Sequence, residues 1–212
     1  MTTSPQAAQA PSAPAATIAY ERYGNCYLNI TNRCTLRCAF CPKFNKVWNV
    51  RGYGLRLREE PTVNELVVAA GDPARYCEVV FCGLGEPLLA LDVVLEAAGR
   101  LKARGARIRV NTDGLANLAH GRDVTQELAG RVDALSVSLN AQNDALYDRH
   151  CRPALPGAFG AVLDFLRCAR AHVPEVTATA IDGLPGVDIE ECRRIAAGLG
   201  VGFRRRVLDR VG

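Results

Sequence analysis

The chain has 212 residues, 49% of them hydrophobic and 23% charged, a globular balance that excludes disorder over most of its length and suits one domain. Its net charge is only +4, from 26 basic and 22 acidic residues, short of the clustered basic excess of a dedicated nucleic-acid binder. It contains no run of about 18 apolar residues, so nothing is expected to span a membrane.

Residues 1–17 are mostly Ala, Pro, Ser, Thr and Gln and predict a disordered tail ahead of a single domain over residues 18–212. They lack the basic and apolar regions of a secretory signal. Nine cysteines, an odd number, then read as reduced thiols in a cytoplasmic protein rather than as a disulfide framework. Residues 26–31 (CYLNIT) predict a first strand. Residues 62–70 predict a helix, with Thr62 as N-cap and Glu65 completing a capping box. A strand over 78–82 and a helix over 92–104, closed by Gly105, follow. Then come a strand over 107–111, a short helix over 124–129 and a strand over 134–139. A helix within 156–171, a strand over 176–181, a helix over 188–199 and a sixth strand over 202–208 complete the chain. Such alternation predicts a parallel sheet with right-handed crossovers. An open doubly wound sheet and an incomplete (β/α) barrel both fit, and in either one ligands gather at the carboxyl ends of the strands.

Four motifs lie at those ends. After strand 1 comes Cys34-Thr-Leu-Arg-Cys38-Ala-Phe-Cys41, whose thiolates can converge on one metal centre. Three ligands leave one position open in an iron–sulfur cube, whereas a zinc knuckle would take a fourth ligand, Cys82 and Cys26 being the candidates. After strand 2 comes Gly83-Leu-Gly85-Glu86-Pro87, either a close backbone approach to a ligand or an ordinary turn. After strand 3, Asn111-Thr112-Asp113-Gly114 suits hydroxyl recognition or an Asx-type turn. On strand 4, alternation puts Ser136, Ser138 and Asn140 on one face, where a polar ligand or water would satisfy them.

Taken in order on successive strands, these motifs resemble the radical S-adenosylmethionine (SAM) superfamily. The resemblance implies an α/β fold, a partial (β/α)6 barrel of parallel strands with outer helices. It implies that Cys34, Cys38 and Cys41 ligate a [4Fe-4S] cluster whose fourth iron chelates SAM. Phe40 would lie by the adenine. Gly83, Gly85 and Glu86 would receive the methionine amine. Asn111, Thr112 and Asp113 would contact the ribose or the sulfonium side, and Ser138 and Asn140 the carboxylate and ribose. Ile181 and Leu184 sit where relatives contact adenine, in a stretch that departs from the better-known pattern. The implied chemistry is reductive cleavage of SAM to a 5′-deoxyadenosyl radical that takes hydrogen from a small-molecule substrate. An external one-electron donor such as flavodoxin or ferredoxin would feed the cluster.

The stretches FCGLGEPL, RVNTDGLANL, SVSLNAQN and AIDGLPGVDI resemble most closely the radical SAM proteins associated with TatD-type nucleases. A more distant likeness links GEPLL to adenine-C2 RNA methyltransferases, which need a methyl-carrying cysteine near the C-terminus; RRRVLDRVG has none. Bases interleaved with aromatics in residues 42–60 (Lys43, Lys46, Trp48, Arg51, Tyr53, Arg56, Arg58) read as cover for an anionic substrate or as a solvated lid packing Trp48 on the barrel. Arg152 is a candidate anion contact or a plain loop residue, and Arg204–Arg206 read as edge decoration. Cys77, Cys168 and Cys192 read as buried small residues. Two further functions stay open: a non-catalytic metal scaffold, and a radical enzyme modifying RNA or a protein.

Overall fold

A computed structural model describes residues 16–208. The expected tail falls almost wholly outside them, but Thr17 is tied down: its N–H donates to Gly54 O at 2.9 Å and its carbonyl accepts from Asn29 Nδ2 at 3.0 Å.

Seven strands form one sheet in the order β1-β2-β5-β6-β7-β8-β9. Strand β1 is Ala19–Arg22, β2 Asn25–Asn29, β5 Val79–Cys82, β6 Ile108–Thr112, β7 Ala134–Ser138, β8 Glu175–Asp182 and β9 Gly202–Val207. The last six are parallel and lie side by side in chain order, with β1 antiparallel on the edge. A doubly wound sheet reverses its winding at a switch point. None occurs here, so the sheet is the partial barrel, left open between β1 and β9 among the described residues. A small hairpin, β3 (Asn49–Val50) and β4 (Tyr53–Gly54), stands apart.

The helices follow from capping and patterning. Helix α1 (Val63–Ala70) starts at Thr62, whose side chain and that of Glu65 make the reciprocal capping box, and buries Leu66 and Ala70. Helices α2 (Leu91–Lys102), α5 (Ala158–Ala169) and α6 (Ile189–Gly198) place their apolar faces on the sheet. Two helices have no counterpart in the sequence reading: α3 (Ala116–His120) and α4 (Asp144–Cys151). The expected helix over 124–129 is a 3-10 turn, Thr125–Leu128. The core fills the space between sheet and helices, with Phe81, Phe165 and Tyr147 fully buried.

Because β-strand side chains alternate, one face of each strand points into the barrel. Tyr27, Cys82, Arg109, Asn111, Ser136, Ser138, Thr179 and Arg204 all face a cavity of about 670 Å³ that opens at the carboxyl ends. That volume lies within the roughly 300–1,000 Å³ of small-molecule sites. No described helix is long and apolar enough to cross a membrane.

Candidate active site

The site begins where β2 ends. Thr31, Asn32 and Arg33 lead into the cysteine loop, and Glu60 pins them: its carboxylate accepts from Thr31 Oγ1 and, in two parallel bonds of 2.7 and 2.9 Å, from Arg33. This fork holds the Glu60 carboxyl below the usual carboxylate range. The loop itself is laced to the end of α4. Arg37 N donates to Cys151 O at 3.0 Å, Ala39 N to His150 O at 2.8 Å, and Ala154 N to Thr35 O at 2.9 Å. The segment from His150 to Pro153 therefore buttresses the cysteine loop. Arg152 lines no part of the cavity, which corrects its reading as an anion contact.

Cys34, Cys38 and Cys41 all line the cavity, with Phe40 between them and partly packed on the core. Burial, then the charge of Asp113, pushes the Cys34 thiol up to about 12. The Cys38 thiol is raised by a hydrogen bond with Cys151 and by burial, and Cys41 by burial. Such thiols lose their protons when a cation binds. Among the described residues, no three His, Cys, Asp or Glu side chains surround one point closely enough for a single metal ion. An iron–sulfur cube does not ask for that, because each thiolate takes its own iron. The candidate fourth zinc ligands lie elsewhere: Cys82 lines the cavity with its sulfur 3.7 Å from Tyr20 Oη, and Cys26 is buried off the cavity. Cys77, expected buried, is exposed, and Cys168 is half-buried; Cys192 is buried as expected.

The turn after β5 lies against the cysteine loop. Glu86 N donates to Arg33 O at 2.7 Å, and a Cβ on Gly85 would land on the carbonyl oxygens of Thr31 and Arg33. Gly85 is thus required by the chain's own backbone, not only by a ligand. Gly83 adopts φ +127°, and a Cβ there would strike Asn29 Oδ1. Glu86 is 2% exposed; its Oε1 accepts from Leu88 N at 2.9 Å and Thr112 Oγ1 at 2.8 Å, its Oε2 from Asp113 N at 2.6 Å. One lone pair on Oε2 is left. Burial, and then Asp113, drives the Glu86 carboxyl far above the usual range. Asp113, also buried, is raised for the same first reason, although Thr35 Oγ1 and Leu115 N donate to it. Two such carboxyls titrate as a pair.

On β7 and just beyond it, Ser138 lines the cavity half-buried, and Asn140 stands at φ +59° with its side chain 2% exposed. Asn140 Nδ2 reaches Cys151 Sγ at 3.7 Å, but its Oδ1 is buried without a partner. An acceptor left bare in a cavity wall fits a ligand that donates to it. Asn111 and Thr112 line the same cavity; Asn111 accepts from Arg109 at 2.8 Å. Ile181 and Leu184 are buried and do not line it. Sequence reasoning gave no role to Thr35, inside the cysteine motif, to Cys151, beside Arg152, or to Tyr20, which lies in a segment without a motif; all three touch the site. Residues 42–60 close over one side through Tyr53, whose ring meets that of Tyr20 at 4.7 Å, tilted by 30°. Trp48 carries Arg56 over its ring at 5.4 Å.

The "Probable RNA methyltransferase" of Anaeromyxobacter sp. is 36% identical over 115 residues, 51% of this chain and 32% of that protein. The dual-specificity RNA methyltransferase RlmN of Alkalilimnicola ehrlichii is 31% identical over 130 residues, 54% of this chain and 32% of that one. The chain thus spans about a third of the length of these curated relatives. Among solved structures, Streptococcus suis SuiB bound to its precursor peptide SuiA has a TM-score of 0.64 over 86% of this chain and 39% of that chain; at 15% identity the likeness is one of fold. The Radical SAM superfamily model matches residues 28–197, most of the chain, and the chain belongs to the radical SAM superfamily.

Proposed function

We propose that this protein is a radical SAM enzyme acting on a small molecule. The observation that carries the reading is one cavity lined by three free cysteines, the Gly83–Glu86 turn, Ser138 and the unpartnered Oδ1 of Asn140. When bound, a [4Fe-4S] cluster and SAM supply one-electron cleavage of the sulfonium and a 5′-deoxyadenosyl radical that takes hydrogen from the substrate. Cys34, Cys38 and Cys41 hold the cluster. Asn140 and Ser138 offer acceptors and a hydroxyl to the polar ends of SAM, and Phe40 offers a ring to its adenine. Glu86 keeps a lone pair for the ammonium while it fixes the turn. Positioned radical chemistry requires the reacting atoms to be held in near contact, and the strand side chains that line the cavity supply that positioning. Ile181 and Leu184 serve from behind the cavity wall as packing. We place the chain with the TatD-associated radical SAM proteins, in the cytoplasm and served by an external electron carrier, on the motifs after β5, β6 and β7.

Anaerobic reconstitution with iron and sulfide tests this. The expected result is a brown protein that, with dithionite and SAM, releases 5′-deoxyadenosine. A colourless protein holding one zinc would overturn it.

A second reading, modification of RNA, is favoured by the two RNA methyltransferase relatives and by the exposed Phe44, flanked by Lys43 at 4.7 Å and Arg37 at 6.0 Å. Salt-dependent RNA binding by the chain would support it, since phosphate contacts release counterions.

A further inference from the structure

The deeper part of the cavity carries a second constellation that the cofactor reading leaves unused. Arg204 of β9 reaches across β8 to β7, where its Nη2 donates to Ser136 Oγ at 2.7 Å. Ser136 is 7% exposed. Arg204 as a residue stays open to solvent, but its guanidinium lines the cavity with Ser136, Arg109 and Arg206. Arg109 is already balanced: Nε donates to Glu78 Oε2 at 2.8 Å and Nη1 to Asn111 Oδ1 at 2.8 Å. Arg107 and Arg205, beside the same sheet, also have carboxylate partners. Arg204 has none among the described residues, and its other N–H donors meet no acceptor there.

The neighbours explain what that means. Burial, then the charge of Arg109, lowers the Arg204 proton affinity, with Tyr27 and Glu78 working the other way. A guanidinium keeps its proton regardless; the Arg109 part of the effect is a positive potential that an anion would relieve. Beside it stands a flat aromatic wall. Tyr20 stacks on Tyr27 at 5.3 Å with 14° between planes, and Tyr53 meets Tyr20 at 4.7 Å, tilted by 30°; all three line the cavity. A planar guanidinium with an open edge takes carboxylate or phosphate in two parallel bonds. Stacked phenols take a flat ring. The acids Glu86 and Asp113 are engaged in their own turn and with Thr35, so they do not neutralise Arg204.

We propose that Arg204, held by Ser136 beside the Tyr20–Tyr27–Tyr53 wall, is the anion subsite of the substrate, and that the substrate is a small planar molecule carrying a carboxylate or phosphate. Naming this ligand the substrate rests on the radical SAM reading; the anion site itself does not.

Ligand-observed NMR titration of the reconstituted full chain tests it, with benzoate, phenyl phosphate and the neutral benzamide as probes. One anion is expected to bind at least tenfold more tightly than benzamide. Benzoate ahead of phenyl phosphate marks a carboxylate substrate, and the reverse order a phosphate one. Arg204→Gln should erase the preference, Arg204→Lys should keep part of it, and iron content and SAM binding should not change. Should Arg204→Gln fail to fold, Ser136→Ala, which frees the guanidinium, should reduce the preference instead. Equal binding of benzamide and both anions, or a preference that persists without Arg204, would overturn the proposal. Failure to release 5′-deoxyadenosine while Arg204 still selects anions would sink the radical reading and leave the subsite standing.

Discussion

Thr35 Oγ1 donates to Asp113 Oδ2 at 2.6 Å, joining the second residue of the cysteine loop to the turn after β6, 78 positions away. The bond couples the cysteine loop to the turns after β5 and β6, because Asp113 N in turn donates to Glu86 at 2.6 Å. Thr35→Val should therefore cost about 1–3 kcal/mol, the penalty for stripping a donor from a buried acceptor. Thr35→Ser keeps the hydroxyl and should be close to neutral. Thermal denaturation of the two variants compares them directly, and equal stabilities would rule the coupling out.

Cys38→Ala should abolish iron loading after anaerobic reconstitution, whereas Cys192→Ala, buried on α6 away from the cavity, should leave iron content intact. Iron and sulfide assays on the two proteins measure this. Full iron in the Cys38 variant would remove Cys38 from the ligand set.

Gly85→Ala puts a methyl onto the Thr31 and Arg33 carbonyls, and the backbone there has nowhere to go. A loss of about 1–3 kcal/mol or more is expected from such overpacking. Gly99, within α2, has open space around its would-be Cβ, so Gly99→Ala should stabilise by roughly 0.5–1 kcal/mol. Chemical denaturation of both variants settles the pair, and a neutral Gly85→Ala would show that the turn can retreat from the loop.

Asn140→Gly should keep the fold, since φ +59° suits glycine, and should weaken SAM binding about tenfold by removing the waiting acceptor. Equilibrium dialysis of SAM against the reconstituted variant gives the number. Unchanged affinity would release Asn140 from the cofactor site.

The Glu86–Asp113 pair sets a pH dependence for the metal-free protein. Both carboxyls are raised by burial, so the folded chain binds more protons than the unfolded one. The pair's contribution to stability is then greatest below the ordinary carboxylate range and declines as pH rises toward the folded-state values, by at most about 1.4 kcal/mol per pH unit for each proton, opposed by the lowered carboxyls of Glu60 and Asp133. Asp113→Asn should flatten that decline. Melting temperatures between pH 5 and 8 report it, and parallel profiles for the two proteins would contradict the assignment.

The parallel strands were legible in the sequence because they recur in alternation with helical segments, most of them rich in β-branched or aromatic residues and closed by Gly, Asn or Asp, and α1 was legible because Thr62 and Glu65 form a capping box. The turns after β5 and β6 were legible as motifs. What stayed hidden has physical reasons. Strand β1, Ala19–Arg22, is four residues with two charges and pairs only along one edge. Helix α4 carries Asp, Arg and His over eight residues, and its capping Asn143 precedes no apolar stripe. Its service to the cysteine loop runs through backbone carbonyls of His150, Cys151 and Arg152, to which side-chain identity gives no clue. Burial of Ile181 and Leu184 away from the cavity was equally invisible, since alternation along β8 does not say where the loop beyond it turns.

The open margin of the sheet has one more effect. Among the described residues, β9 hydrogen-bonds to β8 on one side only, so its other flank presents a row of backbone donors and acceptors on which another chain could stack. Three successive arginines, Arg204, Arg205 and Arg206, sit on that strand. Two identical copies meeting flank to flank would press these cations together. The same run that furnishes the inward guanidinium thus discourages fibre-like growth, and exchanging the outward Arg205 for valine would trade solubility for stickiness without touching the lumen.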